Sequence, residues 1–211
     1  YTGGLKIYTC MDPEVQGVLE EVYENDDEYF PQSSSSMQPE SAMVVVDPYT
    51  NNVLGLVGGR GEKVSNRILN RATGTLRPPG SSIKPVSVYA PALDAGIINY
   101  ASVYDDVPVN FGTDPENPQA WPGNLPYIYR GLTNINSAIE RSVNTVAVRV
   151  LQDLTPQASY DFVTQKLKFT SVYDKFTTAS GVVMSDIDLS PLALGQLSYG
   201  ISVKELTAAY S

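Results

Sequence analysis

Hydrophobic and polar positions alternate over Leu5-Lys6-Ile7-Tyr8-Thr9, a spacing that predicts a half-buried strand. Asp12-Pro13-Glu14 follows with an N-cap, a proline at the first helical position and an acidic first turn, and predicts a helix to about Tyr23. Ser41 to Asp47, with Met43-Val44-Val45-Val46 at its centre, reads as a buried strand. Pro48 to Asn52 reads as a turn and Val53 to Gly58 as a returning strand, so the pair makes a β-hairpin. From Ser81 to Ala95, apolar residues at Ile83, Val86, Val88, Tyr89, Ala92 and Leu93 predict a helix apolar nearly all round, which belongs inside the protein. Residues 105–131 are rich in Pro, Gly, Asn and Asp and predict a long loop of the kind tied to binding or to a lid. Helical spacing resumes over Thr133–Arg141, Asn144–Leu151, Thr155–Lys168, Ser190–Gly200 and Ser202–Tyr210, without an internal repeat.

Composition narrows the function class. A chain of 211 residues with 42% hydrophobic residues is one domain or a large part of one. A net charge of −9 argues against nucleic acid or an anionic membrane surface as a partner. Glu20, Glu21, Glu24, Asp26, Asp27 and Glu28 precede a run of serines from Ser33 to Ser36; without EF-hand spacing or its glycine, this reads as a solvated, fraying helix end and a flexible loop. Cys10 is the one cysteine, which excludes an intrachain disulfide and a cysteine zinc site, and its strand-like surroundings predict a small core residue. No signal peptide or apolar run of about 20 residues is present. The start at Tyr1-Thr2-Gly3-Gly4, without an initiator methionine, leads us to expect a chain cut from something longer. No metal or cofactor is expected.

The chemistry concentrates in Arg77-Pro78-Pro79-Gly80-Ser81-Ser82-Ile83-Lys84-Pro85. Two prolines and a glycine form a stiff lead into a helix whose first turn holds Ser81. Residues three apart share a helix face, about 5–6 Å apart at Cβ, so the Lys84 amine can fold back onto the Ser81 hydroxyl. A serine hydroxyl needs a base, and the chain has no histidine, which excludes a Ser-His-Asp triad. A lysine serves as that base when burial or neighbouring cations lower its pKa. Arg60, Lys63, Arg67, Arg71, Arg77 and Lys84 are six of the fourteen basic residues, with Glu62 the one acid among them. A serine and a lysine so spaced also occur by chance in many helices, so the pair alone decides nothing.

Ser142-Val143-Asn144 lies at the joint between two predicted helices, where both polar side chains can turn into one cavity. Taken alone, the simpler reading is that one of them caps the second helix. Trp121, inside the long loop, is a candidate for lining a substrate groove or for anchoring the loop locally.

Together these residues resemble the transpeptidase domain of penicillin-binding proteins. Gly3-Gly4-Leu5-Lys6-Ile7-Tyr8-Thr9 with Asp12-Pro13-Glu14-Val15-Gln16 resembles the segment joining the two catalytic domains of bifunctional, class A members. Asn70-Arg71-Ala72 leading into Ser81-Ser82-Ile83-Lys84 is similar to the family's S-x-x-K region, and Ser142-Val143-Asn144 to its S-x-N motif. Leu189 to Gly195 with Glu205 to Tyr210 resembles its later helices. The resemblance implies an α/β (α+β) fold, an antiparallel sheet flanked by helices. It divides the chain into a linker strand and helix over 1–40 and the N-terminal part of the domain over 41–211. It also implies Ser81 as nucleophile, Lys84 as base, Ser142 as proton relay and Asn144 as a hydrogen-bonding partner of substrate and Lys84. The implied partners are peptidoglycan stem peptides ending in D-Ala-D-Ala and β-lactam antibiotics. The implied location is the extracytoplasmic face of a bacterial membrane, in a parent anchored by an N-terminal transmembrane helix.

The family's third motif, K-T-G or a variant on a strand, is absent before Ser211, so we expect half of a transpeptidase domain: either a complementary C-terminal half is present as another polypeptide after proteolysis, or it was left out and the fragment is not a competent enzyme. Without that segment the two strands of the hairpin would keep an unpaired apolar edge. A class A β-lactamase is disfavoured, because the middle motif reads S-V-N rather than S-D-N and Glu205 is the one glutamate beyond Asn144. A D,D-carboxypeptidase, which differs in its acceptor, and a non-catalytic module of the same fold remain alternatives.

Overall fold

The computed structural model describes residues 3–111 and 119–211. The first two residues and 112–118, the latter within the proline- and glycine-rich stretch, lie outside the described residues. Chain contacts divide the protein into two compact units, Tyr1–Leu76 with Ser202–Ser211, and Arg77–Ile201.

In the first unit, α1 (Pro13–Glu24) starts where the sequence places it. The Asp12 carboxylate accepts from the Glu14 and Val15 N–H groups at 2.8 and 3.3 Å. β1 (Met43–Val46) and β2 (Val53–Val57) form the expected antiparallel hairpin, a sheet of two strands. α1 seats on it through Leu19, Tyr23 and Val57, with Val15, Val22, Phe30 and Val45 packed around them. Gly55 in β2 lets α1 sit close, because a Cβ there would lie 2.8 Å from Leu19 Cδ1 and the leucine would have to shift. Gln16 completes the edge of β2 as a strand would: its Oε1 accepts from Leu56 N–H at 2.8 Å, and its Nε2 donates to Leu56 O at 3.1 Å. α2 (Asp26–Tyr29) and α3 (Arg71–Gly74) are single turns, and α9 (Val203–Ala209) lies against β1.

Two expectations fail in this unit. Residues 5–9 form no strand: Leu5, Ile7 and Tyr8 are exposed and no neighbouring strand pairs with them among the described residues. Alternation specifies a face but supplies no partner for the backbone. Cys10, in the same unpaired stretch, is exposed rather than a core residue.

The second unit is built around α6 (Asn144–Leu154), whose Val146, Ala147, Val148, Val150 and Leu151 are fully buried. The predicted apolar helix packs against it as three successive geometries: a 3-10 turn over Gly80–Ile83, a π turn over Pro85–Tyr89 and α4 (Ala90–Asp94). Two prolines shape this run. Pro91 has no N–H to offer the Ser87 carbonyl, and the buried Ser159 hydroxyl donates to that carbonyl instead, at 2.6 Å.

β3 (Val103–Asp106) and β4 (Gly131–Asn134) pair antiparallel at the two ends of the expected long loop, and α5 (Ile135–Glu140) follows directly. α7 (Pro156–Asp161) runs into a π turn over Phe162–Lys166. β5 (Phe176–Thr177) and β6 (Val183–Met184) make a short hairpin, and α8 (Leu189–Leu194) packs on α6. No helix among the described residues is long and apolar enough to cross a membrane.

Candidate active site

Ser81 stands on the 3-10 turn, exposed, one residue after Gly80 at φ 57°. Two glycines hold this turn from behind. Arg77 and Ile201 exchange backbone hydrogen bonds at 3.1 and 2.9 Å, and a Cβ on Gly200 would fall 2.1 Å from Arg77 C. Gly195 ends α8 in the left-handed conformation and meets Gly80 so closely that a Cβ would lie 2.1 Å from Gly80 O. The backbone under the serine is therefore fixed by contacts that no side-chain-bearing residue at 195 or 200 permits.

Lys84 is 2% exposed although it carries an ammonium group. Its Nζ donates to Ser142 O at 2.7 Å, to Ser142 Oγ at 3.1 Å and to Asn144 Oδ1 at 2.5 Å. The structure thus unites Lys84, Ser142 and Asn144, whereas Lys84 and Ser81 are joined by the Lys84 backbone N–H donating to Ser81 O and by no side-chain hydrogen bond among the described residues. Burial lowers the Lys84 pKa from its ordinary value to about 8. Of the two causes available in the sequence, burial acts and neighbouring cations do not.

The S-V-N stretch takes its shape from the helices on either side. Val143 N–H bonds to Ala138 O at 2.9 Å and Ser142 N–H to Ile139 O at 3.0 Å, the paired bonds of a Schellman ending on α5. Ser142 occupies the position usually given to glycine, at φ 54°, and carries the conformational cost of a side chain there. Neither Ser142 nor Asn144 caps α6. The cap comes from the loop: Asn124 Oδ1 accepts from Asn144 and Thr145 N–H at 3.0 and 3.4 Å. Asn144 is thereby freed to bond Lys84 through Oδ1 and Gly123 O through Nδ2, the latter at 2.7 Å.

Behind Asn124 lies Asp106, 1% exposed, which accepts from Asn124 Nδ2 at 2.6 Å, Thr145 Oγ1 at 2.5 Å and Arg130 N–H at 2.9 Å. Asp106, Gly123 and Asn124 are the positioning residues that sequence reasoning missed; an Asp or Asn in a polar loop carries no mark of a partner about twenty residues away. Trp121 is half-buried and pairs through its backbone with Asn110, N–H to O at 2.8 Å, just before Gly123. A cavity of about 280 Å³ opens beside Ser142, and Trp121 does not line it. Among the described residues no cluster of His, Cys, Asp or Glu suits a metal ion.

A serine on a fixed turn, with a buried lysine three residues on that is held by an S-x-N stretch, defines a penicillin-binding type of domain. Residues 41–210 match the model for the penicillin binding protein transpeptidase domain, and the chain belongs to that family. Its relatives are of the class A, penicillin-binding protein 1A kind. It is 35% identical to penicillin-binding protein 1A of Clostridium tetani over 99% of this chain and 26% of that protein. It is 33% identical to the protein of the same name from Clostridium botulinum, over 99% of this chain and 24% of that one. The chain thus spans about a quarter of the length of these curated relatives. Among solved structures, PonA1 of Mycobacterium tuberculosis superposes with a TM-score of 0.72 at 24% identity, over 99% of this chain and 50% of that one. The fold is the α+β transpeptidase fold.

Proposed function

We propose that this chain supplies the acylating half of a peptidoglycan D,D-transpeptidase site. The observation that carries the reading is the buried Lys84 amine, held between Ser142 and Asn144 three residues after an exposed serine. With a pKa of about 8, Lys84 loses its proton within reach of neutral pH, and a neutral amine has the lone pair that a general base requires. Lys84 takes the Ser81 proton as Oγ bonds to the carbonyl carbon of the penultimate D-alanine. The C–N bond to the last D-alanine then breaks, and Ser142 Oγ, 3.1 Å from Lys84 Nζ, passes a proton to the departing amine. The acyl group stays on Ser81 as an ester. An incoming amine from a second stem peptide attacks it, gives its proton back through Lys84, and releases Ser81. Ser81 N–H serves as one oxyanion donor, and a C-terminal strand bearing the K-T-G-like motif supplies the other.

A β-lactam acylates the same hydroxyl and remains attached. Asn144 keeps one amide N–H beyond that given to Gly123, for the substrate backbone. Trp121 anchors the backbone that leads to Gly123 rather than touching substrate. The parent works at the extracytoplasmic face of a bacterial membrane.

Denaturing intact-mass spectrometry with and without a β-lactam tests the reading, on this chain combined with the complementary C-terminal segment of a relative. A drug-sized mass on the 211-residue chain, lost in Ser81→Ala, is expected. A folded, complemented protein that gains no mass overturns it.

A further inference from the structure

The cavity beside Ser142 has a composition that the acylation chemistry leaves unexplained. Arg130 and Arg141 both border it, with Leu125, Ile128 and Val143 as apolar wall. Both arginine side chains are without an ion pair or hydrogen bond to any described residue. Their backbones are nonetheless fixed: Arg130 N–H bonds Asp106 Oδ2 at 2.9 Å, and Arg141 N–H bonds Ser137 O at 3.1 Å. The Asp106 carboxylate, also on the wall, is committed to Asn124, Thr145 and the Arg130 N–H, so it does not neutralise the guanidiniums by contact. Two arginines bordering one cavity on a chain of net charge −9 mark a place for an anion, and guanidinium geometry suits a carboxylate.

We infer that this cavity seats a carboxylate of the amine-bearing peptide that accepts the acyl group. The assignment to the acceptor rests on the proposed function: the incoming amine takes the place that the departing amine held against Ser142, and its strand runs past the cavity that Ser142 borders. Leu125, 90% exposed, and Ile128, 48% exposed, offer apolar contact to the methylenes that separate amine from carboxylate in such a peptide.

The test is a titration of the isotopically labelled chain, combined with the unlabelled complementary C-terminal segment of a relative, followed by amide NMR. Three probes are used: Nα-acetyl-L-lysine, which has both amine and carboxylate, Nα-acetyl-L-lysinamide, which lacks the carboxylate, and acetate, which lacks the amine. The carboxylate probe is expected to bind about tenfold more tightly than the amide, the size of a charge-assisted hydrogen bond, with shifts at Ser142 and Val143. Arg130→Gln with Arg141→Gln is expected to bring the two affinities together, while Arg141→Lys keeps part of the difference. Both arginines are exposed, so the spectrum away from the cavity serves as the check that the variants fold. Equal affinities in the wild type, or a difference that survives in the double variant, overturn the site. Acetate binding as tightly as acetyl-lysine overturns the acceptor assignment and leaves an anion site. None of these arms involves acylation of Ser81, so a failure of β-lactam labelling is read separately.

Discussion

Lys84 Nζ lies 2.5 Å from Asn144 Oδ1, a contact between residues 60 positions apart that is made without water in a pocket leaving the lysine 2% exposed. A charged amine in that place is tolerated because three oxygens face it, and its pKa falls because bulk water does not.

The first consequence is a pH profile. If Lys84 is the base, β-lactam acylation of Ser81 in the complemented domain rises with pH and levels off above about 8, as the neutral amine accumulates. Lys84→Arg stays protonated, and acylation is expected to fall by about 10²–10⁴. Stopped acylation followed by mass spectrometry from pH 6 to 10 measures both, and a flat profile contradicts the role.

Stability carries the same signature. Folded Lys84 releases its proton near 8, and an unfolded lysine near its ordinary value of about 10.4. Between those values the unfolded chain binds more protons, so stability rises with pH across this window, and the cost of the buried charge is present in full below it. Lys84→Met is expected to raise the urea midpoint at pH 7, with the advantage shrinking as pH passes through the window.

Ser142 separates stability from function. At φ 54° a glycine is free of the strain that serine carries, so Ser142→Gly is expected to stabilise the domain by about 0.5–1 kcal/mol while Ser81 labelling slows. Denaturant unfolding and labelling rates on the same preparation decide it. A variant that is both less stable and equally fast contradicts the assignment.

Two glycines of equal handedness provide an internal control. Gly96, at φ 69°, has open space where a Cβ would stand, so Gly96→Ala exposes the backbone cost alone, about 1 kcal/mol. Gly195, at φ 72°, has Gly80 O 2.1 Å from that point. Gly195→Ala is expected to cost clearly more and to lower Ser81 labelling at least tenfold, because Gly80 must move. Equal losses in the two variants would mean that Gly195 does not position the turn.

Asn124→Ala removes the cap of α6 and is expected to cost about 1–2 kcal/mol, with slower labelling through the displaced Asn144. Asp106→Ala leaves Thr145 Oγ1 and Asn124 Nδ2 without their acceptor and is expected to cost more than Asn124→Ala in the same unfolding assay.

What the sequence disclosed follows from how local each signal is. The Asp12 cap and the hairpin over Met43–Val57 are short-range patterns and fold as patterned, and the apolar run from Ile83 is helical throughout but in three successive geometries. Ser81-x-x-Lys84 and Ser142-x-Asn144 were legible as motifs, and the Lys84 amine of the first hydrogen-bonds to both polar residues of the second. The hydrogen-bond partners of the Lys84 amine were not legible, since helix spacing offers only Ser81 whereas its three acceptors are oxygens of Ser142 and Asn144, 58 and 60 positions away. The same limit hid β3 and β4, which close a loop otherwise read by composition, and the strand expected at Leu5 failed for want of a partner. Alternation and composition report faces; pairing is a property of the assembled chain.

On the proposed mechanism, the Lys84 contacts also set when the serine becomes reactive. An unfolded Lys84 is solvated and protonated at neutral pH, so Ser81 in a nascent or denatured chain is an ordinary alcohol. On that mechanism the base comes into being when Ser142 and Asn144, 58 and 60 positions away, close over the amine and replace its water. Covalent capture of Ser81 by a β-lactam would then count mature molecules and pass over immature ones, and the drug would act as a reporter of completed folding.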